Sequence, residues 1–119
     1  MLELTLDPVA KILKLETTGY LTVEDVRRYR YELLHMASQA RERFGRVRMY
    51  VDSTDGRVQP ANVIAEFADL PSIIQGPDDR MAVAVGSALS LLQVKRSVKS
   101  DQERAFLTPE EALDWLNNE

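Results

Sequence analysis

The sequence predicts an α/β domain whose mixed, mainly parallel sheet starts with an N-terminal antiparallel hairpin strand, in the order ββαβαβαβα. Three observations carry this. Leu2, Leu4 and Leu6 alternate with Glu3 and Thr5, the period of a half-buried strand. Met81-Ala82-Val83-Ala84-Val85 is nearly all apolar, as expected of a central parallel strand covered on both faces. Short apolar runs then alternate with amphipathic stretches, which argues for crossovers between parallel strands.

Taken in order, Asp7-Pro8 breaks the first strand and Val9 to Glu16 reads as the second, so the two form an antiparallel hairpin that Gly19 ends. Thr22 caps a long helix with an acidic first turn, Glu24 and Asp25. Val26, Tyr29, Leu33, Met36, Ala37, Ala40 and Phe44 make its apolar stripe, and Gly45 suits the position after its end. Tyr31 and Leu34 fall off that stripe, among arginines. Val47 to Val51 reads as a strand entering the polar loop Asp52-Ser53-Thr54-Asp55-Gly56. A helix carrying Val63, Ile64, Phe67 and Leu70 follows Pro60. After the apolar strand, Gly86-Ser87 opens a helix through Leu91 and Leu92, and Glu103 to Leu107 forms a last short strand. Thr108, Pro109 and Glu111 then supply an N-cap, a first-turn proline and a capping-box acid for a closing helix with Ala112, Leu113, Trp115 and Leu116.

At 119 residues the chain fits one domain, 1–119, long enough to bury roughly two-thirds of its unfolded surface. It has no cysteine, which excludes disulfides and thiolate metal sites. No apolar run approaches the ~20 residues of a membrane span, and the N-terminus lacks a signal-peptide pattern, so a cytoplasmic location is expected. The net charge of −4 hides a basic stretch: Arg27, Arg28, Arg30, Arg41, Arg43, Arg46 and Arg48 face only Glu32 and Glu42. Their spacing reads as the solvated side of a helix, with an acidic partner or anionic lipid surface as the alternative. No aromatic or base-reading pattern accompanies them, so no nucleic acid is expected.

Four groups are candidates for function. Asp52, Ser53, Thr54 and Asp55 lie at a strand C-terminus, where open α/β sheets place ligands. They read as a phosphoacceptor, a divalent-cation site, or simply an Asx-type turn, the reading preferred here. Gly86 and Ser87 could receive an anion on backbone N–H groups, though a plain N-cap accounts for them. Ile73 and Ile74 sit in a segment bounded by Pro71 and Pro77. They either fold onto the core or, with Phe67, Leu70, Leu89 and Leu92, wall an apolar pocket. His35 is the sole histidine, so neither a zinc site nor a catalytic triad is supported. No catalytic residue, metal or cofactor is assigned.

Gly19-Tyr20-Leu21-Thr22-Val23-Glu24-Asp25, the strand end Tyr50-Val51-Asp52, the apolar strand Met81 to Val85 and the phrase Phe106 to Leu116 occur here in one order. Together they resemble the SpoIIAA-like proteins of the STAS superfamily, over essentially the whole chain. The resemblance implies helices packed mainly over one face of the sheet, a tendency to form homodimers and no established enzyme activity. It also implies two kinds of function. One is binding of a partner protein or a hydrophobic, lipid-like small molecule, with possible peripheral contact at a membrane. The other is a phosphoswitch like that of anti-sigma-factor antagonists, here on Ser53 or Thr54. The antagonists' Asp-Ser-Ser-Gly phrase at a helix start is missing: the corresponding helix begins near Gln59-Pro60-Ala61-Asn62, with no hydroxyl in its first turn. A non-enzymatic binding module is the expected function.

Overall fold

A computed structural model describes residues 1–56, 59–68, 73–98 and 100–118. The strands are β1 (Leu2–Asp7), β2 (Ile12–Gly19), β3 (Arg48–Gly56), β4 (Arg80–Val85) and β5 (Glu103–Phe106). The helices are α1 (Val23–Phe44), α2 (Ala61–Ala68), α3 (Ala88–Ser97) and α4 (Pro109–Asn117). The nine elements follow the predicted order. The strands lie side by side as β1-β2-β3-β4-β5, with β1 antiparallel to β2 and every later pairing parallel.

The hairpin turn differs from expectation because Asp7 folds back on it. Its Oδ1 accepts from the N–H groups of Val9 and Ala10, and Lys11 takes a φ of 59°. The chain therefore re-enters the sheet only at Ile12, and β2 runs on to Gly19. α1 starts at a capping box, Thr22 Oγ1 accepting from Asp25 N while Asp25 Oδ2 accepts from Thr22 N. It stops at Gly45, whose φ of 80° suits glycine and whose N–H returns to Arg41 O.

Alternation along the strands builds two apolar layers. Leu13 and Leu15 of β2 and Met49 and Val51 of β3 join Val26, Leu33, Ala37 and Ala40 of α1 in the larger one. Ile12, Tyr50, Ala82 and Ala84 point to the other face, where Ala112 and Leu116 of α4 cover them. Three small alanines meet there, which lets α4 lie close to the sheet. Strand order explains the split. Right-handed crossovers that always advance in one direction carry α1, α2 and α3 to a single face. Only α4, after the last strand, is free to cross to the other.

Arg27, Arg28 and Arg43 are exposed as expected of a solvated face, but part of the basic stretch is used to tie elements together. Arg27 Nε lies 2.6 Å from Glu66 Oε1 and Arg30 Nη2 3.7 Å from Glu66 Oε2, tying α1 to α2. Arg41 reaches Asp79 (2.7 Å) and the carbonyl of Ile73 (3.1 Å). Leu34, also read as lying off the stripe, packs against the main core, while Tyr31 is exposed. Glu66 is nearly buried, so Glu66→Ala leaves Arg30 half-buried without its carboxylate. Because Arg27 is largely solvated, the expected loss is only about 1 kcal/mol, read from the urea midpoint at unchanged slope.

α4 is held from its far end. Arg80 of β4 donates from Nη1 to Trp115 O and Asn118 O, and its guanidinium stacks 5.0 Å over the Trp115 ring. The last turn has no basic residue of its own. Arg80 thus supplies from the sheet the cation that a helix C-terminus favours.

Candidate functional site

The C-terminal ends of β2, β3 and β4 and the start of α3 form one rim, and most polar candidates meet there. β3 continues to Gly56, so Asp52, Ser53, Thr54 and Asp55 are strand residues and not the loop expected from their composition. The reason is the length of β2. It offers ladder partners as far as Gly19↔Gly56, with a register shift between Glu16 and Thr18 that absorbs the twist.

Strand alternation separates the candidate cluster. Ser53 faces the α1 side, where its Oγ accepts from Thr17 Oγ1 at 2.8 Å, and Thr17 is itself buried. Asp52 faces the α4 side. Its Oδ1 accepts from Thr54 N (3.1 Å) and Thr54 Oγ1 (2.7 Å), the local bond of an Asx motif carried into a strand. Burial pushes the Asp52 carboxyl up, but the Thr54 bonds, Tyr50 and Lys14 together hold it below its ordinary value. Tyr50 lies beside it, its hydroxyl buried with no hydrogen bond of good geometry. Burial and then the Asp52 charge push that phenol well above its ordinary value. Asp55 is exposed. Among the described residues, no group of three or more acidic or histidine side chains is arranged to hold a metal ion.

Gly86 and Ser87 complete the rim. Ser87 Oγ caps α3 by accepting from Ser90 N at 3.1 Å. Gly86 is packed against β3: a Cβ there would lie 2.3 Å from Thr54 O. The cap is the reading preferred from the Gly-Ser pair, but the close approach was not visible there, since it depends on where β3 ends.

The apolar candidates divide. Ile73 is buried in the main core and Phe67 packs against the same cluster, while Ile74 is half-buried. Leu70 lies outside the described residues. Phe67 also lines a small cavity with Leu2, Leu4, Leu15, Val26, Tyr29, Arg30 and Leu33. Its volume of about 10 Å³ is no more than one water needs. Leu89 and Leu92 point away from the core and are 62% and 53% exposed. The structure therefore does not bring the five described candidates together as one wall.

Sequence reasoning missed Asp79, the most deeply placed carboxylate among the described residues. It is 1% exposed and accepts four bonds: from Val47 N, Gln75 N, Gly76 N and Arg41 Nη1. Gln102 Nε2 braces the same turn by donating to Gly76 O and Asp79 O. This hub sits at the strand N-termini, away from the rim. The one available signal was Asp78-Asp79 between Gly76-Pro77 and a strand start, a common turn pattern.

No helix among the described residues is long and apolar enough to cross a membrane. No family model matches the chain, and no curated protein matches it. Among solved structures, it is similar to an uncharacterised protein of the DUF3478 family from Shewanella loihica PV-4, which has a SpoIIAA-like fold. The two share 20% sequence identity with a TM-score of 0.64, and the match covers 98% of this chain and 92% of that one. Antiparallel β1, four parallel-paired strands and four helices in this order are that architecture, and the fold of this chain is SpoIIAA-like.

Proposed function

We propose that the chain is a non-catalytic binding module that engages a partner protein through the outer face of α3. The observation that carries this is the pair Leu89 and Leu92. They lie three residues apart on one helix face, and both are more than half exposed. Single exposed leucines mean little, but an adjacent pair beside a polar rim has the make-up of an interface core. A lipid-like ligand has less support, because Phe67 and Ile73 pack into the core and the cavity beside Phe67 holds about one water. Peripheral membrane contact is weakened by the use of Arg30 and Arg41 in partly buried ion pairs. A phosphoswitch would put its charge on Ser53, which is tied to Thr17, or on Thr54, beside the Asp52 carboxylate.

The test compares wild type with Leu89→Ser/Leu92→Ser as bait in extract from the native source, followed by titration of the purified captured protein. A partner that binds saturably to wild type and at least about tenfold more weakly to the variant is the expected result. Identical captures by both baits, or a rise in Tm on adding fatty acids, would overturn it.

A further inference from the structure

β1 is one open edge of the sheet and β5, only four residues long, is the other. Exposed edges are normally blunted by lysine, proline, a bulge or a covering segment. Along Leu2–Asp7 β1 has no lysine, proline or bulge, and among the described residues no strand pairs with its outer edge; its charges are Glu3 and, at its end, Asp7. The hairpin register shows which backbone groups are free. Met1 and Thr18 exchange both bonds (2.9 and 2.7 Å), and from there hydrogen-bonded pairs recur at every second residue, Glu3, Thr5 and Asp7. The N–H and C=O groups of Leu2, Leu4 and Leu6 therefore point outward from the sheet.

We propose that this edge pairs antiparallel with the same edge of a second copy of the chain, in the register that sets Leu4 opposite Leu4. The sequence selects both occupant and register. Centring on Leu4 sets Leu2 opposite Leu6 and Glu3 opposite Thr5, so no like charges meet and all three leucines exchange their outward backbone bonds. Centring on Glu3 sets two glutamates against each other. Centring on Thr5 sets Glu3 against Asp7, and centring on Leu6 sets Leu4 against Pro8, which has no N–H to give. Leu4 and Leu6 are only partly buried in the single chain, and the second β1 would cover them. The product is a ten-stranded sheet with a two-fold axis through Leu4, an isologous contact that closes.

Sedimentation equilibrium and hydrogen exchange on the full chain test this. The expected result is a reversible dimer in which exchange of the Leu4 amide slows as concentration rises. Thr5→Glu sets two pairs of carboxylates face to face and is expected to raise the dissociation constant about tenfold. Thr5 is exposed, so the thermal unfolding of the monomer should not change. Adding Glu3→Lys to that variant turns both repulsions into attractions and should restore the dimer. A chain that stays monomeric at millimolar concentration overturns the proposal. So does a dimer indifferent to Thr5→Glu, or Leu4 protection independent of concentration.

Discussion

Asp79→Ala is expected to lower the unfolding free energy by about 3–5 kcal/mol, with Tm falling by more than about 10 °C. The carboxylate is 1% exposed and accepts from the N–H groups of Val47, Gln75 and Gly76, and alanine removes that acceptor from three buried or half-buried donors. Arg41 loses its ion pair as well, though its partial exposure lets water take some of the load. The same carboxylate makes stability depend on acid. Burial pushes its pKa up, but the N–H groups of Val47, Gly76 and Gln75 and the Arg41 guanidinium outweigh this and hold it below its ordinary value. A group with a depressed folded pKa contributes stability above its unfolded value, about 3.9, and loses it as pH falls through the lower folded value. The wild-type advantage over Asp79→Asn should therefore be full at neutral pH and shrink below about pH 4. Chemical denaturation at pH 7 and near pH 3 checks this. An advantage that does not change with pH would contradict it.

Gly86→Ala ranks next, at about 2–3 kcal/mol, as for other substitutions that force backbone to move. The obstacle is the carbonyl oxygen of Thr54, 2.3 Å from where the new Cβ would lie, and no rotamer change relieves a backbone contact. Gly86 does not have a positive φ, so conformational freedom is not the issue; space is. Gly86→Ser should cost at least as much as alanine. Unfolding of the two variants in urea decides it, and a loss under about 0.5 kcal/mol, within the range of an ordinary surface change, would mean that the rim accommodates a side chain freely.

Local pattern revealed what local chemistry decides. The period of two in Leu2, Leu4 and Leu6, the unbroken apolar run Met81–Val85 and the cap at Thr108 each report an element whose residues alone determine it. Asp52 to Asp55 failed that test because Asp-Ser-Thr-Asp-Gly has turn composition, while its strand state depends on how far β2 extends. Arg30 and Arg41, read as solvated, failed for a related reason. Amphipathic spacing shows which residues leave the α1 core stripe but not whether Glu66 or Asp79 waits for them, one 36 and the other 38 positions away from its arginine at Arg30 and Arg41. For the candidate site, sequence located the strand C-terminal rim but not its split between two faces of the sheet. It also grouped Leu89 and Leu92 with Phe67 and Ile73, since hydrophobicity does not say which way a side chain faces.

The sheet's spatial order, β1-β2-β3-β4-β5, is also its order along the chain. As the chain leaves the ribosome, each new strand finds its neighbour already made, and no strand has to be inserted between two others. Domains fold as units from the N-terminus during synthesis, and here the sheet can grow at one edge throughout. The exception is its second face. Tyr50, Ala82 and Ala84 stay uncovered until α4, the final helix, has been made. The nascent protein thus completes its hydrogen-bonded ladder before its second apolar layer, and the interval between the two is when its bare surface is open to mispairing or to a chaperone.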